Sequence, residues 1–230
     1  MSAFSTTHWS LLIAARSDDV HASAALAGLC AQYRAPVLAF MRRAAHSAAE
    51  GDDLTQAFFV HFLEKRGDFA ADPVRGKFRQ LVLVQMRHFL SDYYAAATAL
   101  KRGGAREAAN PTELHQLPDP ALQPEQEFDR SFALTVIARA LARMRPQISS
   151  PDKLLIFDSL SPVLFEPRDP GALKVIAQAH AMRVNTLAVI LKRLRDRLAI
   201  LIRDEISQLV IDPASIDIEV RALRAALRAM

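Results

Sequence analysis

Residues 50–94 read EGDDLTQAFFVHFLEKRGDFAADPVRGKFRQLVLVQMRHFLSDYY, and half of the chain's twelve phenylalanines lie between Phe58 and Phe89. Charge changes sign along this stretch. Residues 46–64 hold four Asp or Glu and no Lys or Arg, whereas residues 65–106 hold nine Lys or Arg and three Asp. Because opposite charges attract, the acidic part predicts a basic protein partner, and the basic, aromatic part predicts a nucleic acid.

The acidic part has the periodicity of a helix over residues 52–65. One side is apolar and is expected to face a core: Leu54, Phe58 and Phe62. The opposite side mixes acidic, amide and apolar residues: Asp52, Gln56, Phe59 and Leu63. Such a mixture is typical of a docking face, but a helix buried on both sides has the same pattern, so both interpretations stay open. His61 and Glu64 have metal-ligand spacing, but no further His or Cys lies nearby and no metal is predicted.

The basic part predicts a second helix, over residues 78–100. Its core side is expected to hold Phe78, Val82, Gln85, Phe89 and Tyr93. The opposite side combines a cation, hydrogen-bonding groups and an aromatic ring: Gln80, Arg87, Ser91 and Tyr94. These groups suit the phosphates and bases of a single nucleic-acid strand. An ordinary solvated helix face contains the same residue types, so that alternative stays open as well.

Composition limits the class of protein. The chain has 230 residues, a formal net charge of +4 and only seven glycines, and it is rich in Ala, Leu and Arg, which favours helix. The single cysteine, Cys30, excludes an intramolecular disulfide and fits a reducing compartment. Neither a secretory signal pattern nor an apolar run of about 18 residues occurs, so we expect a cytoplasmic protein without membrane insertion.

Helical patterns cover most of the chain. Further helices are predicted over residues 6–16, 23–45 with a kink or break at Pro36, 125–144, 152–164, 172–179, 184–203 and 216–230. Gly103-Gly104 and the prolines from Pro111 to Pro124 predict an irregular linker. The prediction is an all-α fold with two small helical domains joined by an irregular Pro-containing linker. The segments are residues 1–100, an N-terminal domain; 101–127, the linker; 128–205, a C-terminal domain; and 206–230, an amphipathic helical tail.

The segment 172–203 predicts a short helix, a turn at residues 180–183 and a longer helix from Val184. It holds seven Lys or Arg and one Asp. The longer helix is expected to point apolar residues inward: Val184, Leu187, Leu191, Leu194 and Leu198. Its outward residues are Asn185, Val189, Lys192, Arg193 and Asp196. This is the pattern of a helix-turn-helix that enters a DNA major groove, and an amphipathic hairpin of a bundle is the alternative.

Three segments in this order resemble a bacterial RNA polymerase sigma factor of the extracytoplasmic-function (ECF) class of the sigma-70 family. They are DDLTQAFFVHFLEK, similar to the family's acidic docking helix; GKFRQLVLVQMRHFLSDYY, similar to its promoter-melting helix; and IAQAHAMRVNTLAVILKRLRDRL, similar to its C-terminal helix-turn-helix. The resemblance covers most of residues 6–205. The opening TTHWSLLIAAR resembles a subgroup found beside serine/threonine kinases.

The resemblance implies an alternative sigma factor that binds core RNA polymerase, recognises and melts promoter DNA and directs transcription initiation, with no catalysed reaction and no cofactor. The implied polymerase-binding residues are Asp52, Asp53, Gln56, Phe59 and Leu63. The implied contacts to the minus-ten element are Arg75, Lys77, Arg79, Gln80, Arg87, His88 and Ser91. The implied contacts to the minus-thirty-five element are Arg183, Asn185, Thr186, Lys192 and Arg193.

The turn before the last DNA-binding helix departs from the family's pattern at Ala181, Arg183 and Val184, so Asn185 is predicted to cap that helix. A sigma factor has to be held inactive, and three means are implied: an anti-sigma factor, the protein's own C-terminal tail, or phosphorylation by a serine/threonine kinase. Thr55 lies next to the acidic pair. It is a candidate phosphorylation site, because an added negative charge there would tune docking.

Two other functional classes compete with this interpretation. A helix-turn-helix regulator that binds duplex DNA without polymerase is the alternative, and in that protein the face of residues 52–63 has no purpose except as core. An enzyme is not expected, because the seven histidines have neither metal-ligand nor catalytic-triad spacing.

Overall fold

The computed structural model describes residues 20–65, 78–101, 123–165, 170–210 and 212–228. These residues form helices and no strand, which confirms the all-α prediction. The helix predicted over residues 6–16 lies outside the described residues, as does most of the predicted linker. In the part of the chain that is described, no helix is long and apolar enough to cross a membrane.

Eight α-helices follow one another along the described chain. They are α1 (Val20–Ala44), α2 (Ala48–Glu64), α3 (Phe78–Lys101), α4 (Pro124–Met144), α5 (Pro151–Leu160), α6 (Pro170–Ala179), α7 (Val184–Ser207) and α8 (Ile216–Arg228). Short 3-10 turns occur at Arg145–Gln147, Pro162–Leu164 and Pro213–Ser215.

Helix α1 continues through Pro36, so of the kink or break expected at this proline the break does not occur. Proline removes one backbone donor and crowds the preceding turn, which costs helix stability. The residues that follow are among the most deeply buried in the protein: Val37, Phe40 and Met41. The free energy gained by burying these apolar side chains offsets the loss of the hydrogen bond, so the helix stays continuous.

Helix α2 begins four residues before the predicted Asp52, because Ser47 caps it. The Ser47 hydroxyl accepts a hydrogen bond from the backbone N–H of Glu50 at 3.1 Å. The Glu50 carboxylate in turn accepts one from the backbone N–H of His46 at 2.8 Å. These two bonds satisfy donors at the helix start, as in a capping box.

The described chain divides into two compact units. The first contains the residues up to Thr135 together with those from Ser207 onward, and the second is Val136–Ile206. The assignment of separate functions to residues 1–100, 101–127, 128–205 and 206–230 stays a prediction.

An aromatic cluster forms the core of the first unit. The ring of Tyr33 on α1 lies 4.9 Å from that of Phe78 on α3 and 5.1 Å from that of Phe132 on α4. Phe62 of α2 meets Phe78 edge-on at 6.1 Å. Four helices are thereby held by ring contacts whose edge and stacked geometries are the favourable ones for aromatic pairs.

The core of the second unit is mostly aliphatic. It brings together residues from α4, α5, α6 and α7, including Met144, Phe157, Leu160, Leu173, Ala177, Leu187, Leu191 and Leu198. The last three belong to the apolar side that the sequence predicted for α7, and their burial confirms that orientation. Val184 was expected on the same side but is exposed at the first residue of the helix, where few neighbours are available to cover it.

Candidate protein- and nucleic-acid-binding surfaces

The inner side of α2 is core, as predicted: Leu54, Phe58 and Phe62 are all buried. The opposite side is open to solvent. Asp53 and Gln56 are exposed there, together with Val60 (58% exposed) and Leu63 (40% exposed). We call this side, Asp52, Asp53, Gln56, Phe59, Val60 and Leu63, the α2 outer face. Helix α2 is therefore not buried on both sides, and two large apolar residues lie exposed beside carboxylates.

Two residues of the α2 outer face are less accessible than the others. The ring of Phe59 is half-buried and lies 5.6 Å from that of Phe58. Asp52 is held by Arg42 of α1, whose Nε donates to Oδ1 at 2.9 Å and whose Nη2 donates to Oδ2 at 3.2 Å. Both side chains are about half exposed, so a partner can still reach the carboxylate, but it has to compete with Arg42.

Arg42 was not identified from the sequence. It lies in the last turn of α1, ten residues before Asp52, and no local pattern indicates which acid it meets. The pairing depends on the close approach of the two helices.

Thr55 faces the core, although the sequence analysis proposed it as a phosphorylation site. It is 3% exposed, and its hydroxyl donates to the carbonyl of Gly51 at 2.7 Å. A kinase therefore cannot reach this oxygen while α2 stays folded. The helical projection places Thr55 next to Phe58 and Phe62, which was the signal against the site.

The outer side of α3 contains most of the predicted strand contacts. Gln80, Arg87 and His88 are exposed, and Ser91 is half-buried. Arg75 and Lys77 lie outside the described residues. Tyr93 was expected in the core but is 42% exposed, with its ring stacked on that of Phe89 at 6.2 Å.

Two residues of α3 are tied to neighbouring helices. The hydroxyl of Tyr94 donates to the carbonyl of Ala44, at the end of α1, at 3.3 Å. Nε of Arg87 donates to Oε1 of Glu125, in the first turn of α4, at 2.9 Å. The side chains of Arg87 and Glu125 are 50% and 35% exposed, so this pair is weak and can exchange for another anion.

Arg79 differs from the other predicted strand contacts because it is enclosed. Its side chain is 11% exposed and lies between two carboxylates from distant helices. Nε donates to Oε2 of Glu219 on α8 at 3.0 Å, and Nη1 donates to Oδ1 of Asp129 on α4. In a helical projection Arg79 shares its side of α3 with the buried Met86 and Leu90, which was the available signal.

The hydroxyl of Tyr33 lies in the same buried region. Burial raises the pKa of this hydroxyl well above its ordinary value; nearby Arg79 lowers that pKa and Glu219 raises it. The hydroxyl oxygen has no hydrogen-bond partner within the described chain. Tyr33 is thus neutral at physiological pH and adds no charge to the group formed by Arg79, Asp129 and Glu219.

The turn between α6 and α7 is a Schellman motif. The backbone N–H of Met182 donates to the carbonyl of Ala177 at 2.8 Å, and that of Ala181 donates to the carbonyl of Gln178 at 3.1 Å. Ala181 has φ +49°, the left-handed conformation that this motif requires at its turn residue. Alanine therefore occupies a backbone position that favours glycine.

Helix α7 begins at Val184, and the backbone N–H of Leu187 donates to the carbonyl of Arg183 at 3.1 Å. The prediction that Asn185 caps this helix is therefore wrong, because Asn185 already lies in its first turn. The Schellman turn brings the chain into helix immediately after Arg183. Asn185 therefore does not cap the helix, and its side chain is exposed.

The predicted duplex contacts lie on the outward side of α7 and at Arg183, the residue just before it. Arg183, Asn185, Thr186, Lys192 and Arg193 are all exposed. We call these five residues the α7 polar face. Two other arginines of the helix support the scaffold: Arg195 donates to the carbonyls of Val163 and Leu164, and Arg197 donates to the amide oxygen of Gln147. Arg195 and Arg197 thus bond to neighbouring elements, whereas Lys192 and Arg193 lie exposed on the α7 polar face.

Ser159 and His180 lie within hydrogen-bond distance, with 2.8 Å between Oγ and Nε2. The Ser159 hydroxyl also lies 2.9 Å from the carbonyl of Leu155, one helical turn earlier. The contact between Ser159 and His180 joins the α6–α7 turn to α5. Over the described ranges, no group of three or more His, Cys, Asp or Glu residues is arranged to hold a metal.

No family model, curated protein or solved structure matches this chain. The function proposed below therefore rests on the chemistry of the α2 outer face, the outer side of α3 and the α7 polar face.

Proposed function

We propose that this protein is a sigma subunit of bacterial RNA polymerase, of the extracytoplasmic-function class. In this proposal the α2 outer face binds core polymerase, the outer side of α3 holds the melted promoter strand, and the α7 polar face binds duplex DNA. The protein catalyses no reaction and needs no cofactor, because its task is to position DNA on the polymerase.

The observation that carries the proposal is the exposure of the α2 outer face. A DNA-binding regulator that works without polymerase needs this face only as core, and Val60 and Leu63 would then be covered. Instead they lie exposed next to Asp53 and Gln56. An apolar centre with acidic neighbours suits a basic helical partner, since apolar burial supplies affinity and the carboxylates orient the partner.

The outer side of α3 supports a role in strand binding. Arg87 supplies a cation for phosphate, while Gln80 and His88 offer hydrogen bonds to base edges. Melting a promoter requires bases to leave the stack, which costs a few kcal/mol per base, and such contacts to the separated strand offset part of that cost.

The α7 polar face supports a role in duplex recognition. Asn185 and Thr186 lie in the first turn of a helix that follows a tight turn, where recognition helices contact base edges. Lys192 and Arg193 lie two turns later and suit phosphate contacts. Neutralising them is expected to weaken binding to all sequences and to reduce its salt dependence.

Co-purification with core RNA polymerase tests the proposal. We expect the wild-type chain to bind core enzyme and Asp53→Arg to lose binding, because reversing an exposed charge at the contact repels a basic partner without disturbing the fold. Asp152→Arg, an equal charge reversal at an exposed position of α5, is the matched control and should bind normally.

Run-off transcription with core polymerase on a genomic promoter library extends the test to activity. Promoter-dependent transcripts that need this protein would support the sigma function and identify the promoters. If the wild-type chain binds duplex DNA but does not bind core polymerase, the sigma function is wrong. The protein is then a helix-turn-helix regulator that acts without polymerase.

A further inference from the structure

The C-terminal helix α8 is seated at the start of α3. The backbone N–H of Phe78 donates to the carbonyl of Leu209 at 3.5 Å, and Leu209 and Val210 are buried. On α8 itself, Leu223 is buried beside Glu219, whose carboxylate binds Arg79 across 140 residues of sequence. The C-terminal segment thus contacts the helix that is proposed to hold the melted promoter strand.

The carboxylate of Glu219 occupies the donors that Arg79 would use for a phosphate. A guanidinium binds carboxylate and phosphate through the same fork of N–H groups. Here one edge of that fork is taken by Glu219 and the other by Asp129. With Glu219 4% exposed and the Arg79 side chain 11% exposed, a DNA strand cannot reach this arginine while α8 is in place.

The attachment of α8 is shallow. Of its thirteen residues, only Glu219 and Leu223 are buried. A helix of this length is only marginally stable by itself, so it depends on these contacts for its order. Losing the contact of Glu219 or of Leu223 therefore removes a large part of the free energy that holds α8 against α3. A helix with many buried residues loses a smaller part when one contact is removed.

We propose that α8 is an intramolecular inhibitor of nucleic-acid binding, in which Glu219 occupies Arg79 until α8 detaches. Detachment leaves Arg79 paired with Asp129 alone, whose side chain is 33% exposed, and a phosphate can displace this carboxylate. DNA binds only the detached state at this position and therefore shifts the population toward it. The inference rests on the proposed function, because it takes Arg79 as one of the strand contacts.

The test is the affinity of full-length variants for a fluorescein-labelled pool of random single-stranded oligonucleotides, measured by fluorescence anisotropy. Glu219→Gln keeps the shape of the side chain and removes its charge. It is expected to bind the oligonucleotides about fivefold or more tightly than the wild type, because an arginine becomes available to phosphate. Glu64→Gln makes the same chemical change at the exposed last residue of α2 and should leave the affinity within about twofold, which controls for net charge.

The double variant Arg79→Gln/Glu219→Gln assigns the gain to the proposed contact. Its affinity should return to the wild-type level, whereas a gain that persists without Arg79 overturns the proposal. Leu223→Ala loosens α8 without touching the charges and should also raise the affinity. If circular dichroism shows that Glu219→Gln does not fold, Leu223→Ala decides. Equal affinity of wild type and the folded variants overturns the inhibitor.

Polymerase binding separates failure of this inference from failure of the proposed function. If the wild type co-purifies with core polymerase but Glu219→Gln and Leu223→Ala gain no affinity for the oligonucleotides, the sigma function stands and α8 is not an inhibitor. If the variants gain affinity through Arg79 but no form binds core polymerase, the inhibitory contact stands and the sigma function is lost.

Discussion

Gly51 and Arg42 mark the closest approach of α1 and α2. A Cβ atom built on Gly51 would lie 2.7 Å from the Cα and from the Cγ of Arg42, and 3.0 Å from its backbone nitrogen. The absence of a side chain at Gly51 lets the two helices approach, and this approach brings Arg42 within reach of Asp52. One glycine thus sets the position of an acidic residue on the α2 outer face.

Gly51→Ala is expected to destabilise the protein by about 1 to 3 kcal/mol, because the added methyl group overlaps backbone atoms that cannot move away separately. This range is the net change, after subtracting the roughly 1 kcal/mol that alanine gains over glycine inside a helix. Urea denaturation measures the difference. Gly28→Ala is the matched control: its Cβ would have nothing within 4 Å, so it should stabilise α1. Equal effects of the two substitutions would contradict the close approach.

Ala181→Gly is expected to stabilise the second unit by about 1 kcal/mol. Alanine at φ +49° is strained by roughly 1–2 kcal/mol, and glycine removes this strain. The greater conformational entropy of glycine in the unfolded chain offsets part of that gain. Thermal denaturation should show a higher Tm. Ala199→Gly, at an exposed position inside α7, should instead cost about 1 kcal/mol. A lower Tm for Ala181→Gly would mean that the turn does not hold a left-handed residue.

Thr55→Glu is expected to destabilise the protein by about 2 kcal/mol or more, since it buries a charge where the Thr55 hydroxyl is bonded to Gly51. Thr98 makes the same type of bond, to the carbonyl of Tyr94 at 2.8 Å, but is exposed. Thr98→Glu should therefore change stability by less than about 0.5 kcal/mol. Chemical denaturation compares the two. A stable Thr55→Glu that transcribes differently from Thr55→Ala would restore phosphorylation as a regulatory mechanism.

The Cys30 thiol is expected to react slowly at neutral pH. Burial raises its pKa from 9.0 to about 11, so the thiol stays protonated below that pH and its reactive thiolate is about a hundredfold scarcer at pH 8. The rate of alkylation by iodoacetamide should rise about tenfold per pH unit between pH 8 and 10. In urea the same rate should level off near pH 9. A plateau near pH 9 in the folded protein would contradict the burial effect.

The helices were predictable because their signals are local. The apolar spacing of Leu54, Phe58 and Phe62 identified the inner side of α2, and that of Leu187, Leu191 and Leu198 identified the inner side of α7. The outward residues of both helices follow from the same spacing, so the exposure of Gln56, Leu63 and Lys192 was predictable as well.

Caps and turns were predicted less well. Ser47 begins α2 earlier than expected, and Val184 begins α7 before Asn185. The start of α2 depends on the side-chain cap by Ser47, and that of α7 on the backbone hydrogen bonds of the preceding turn. Several nearby residues can make such bonds, and the apolar spacing does not decide between them.

The sequence by itself determined the helical fold, the inner and outer sides of α2 and α7, and the concentration of charge in residues 46–106. The tertiary structure decided which charges are available. Arg79 and Arg87 are both arginines of α3 with similar local sequence, yet Arg87 is half exposed and Arg79 is enclosed by Asp129 and Glu219. Periodicity is set by neighbours three or four residues away, whereas an ion pair across 140 residues exists only when packing brings its two helices together.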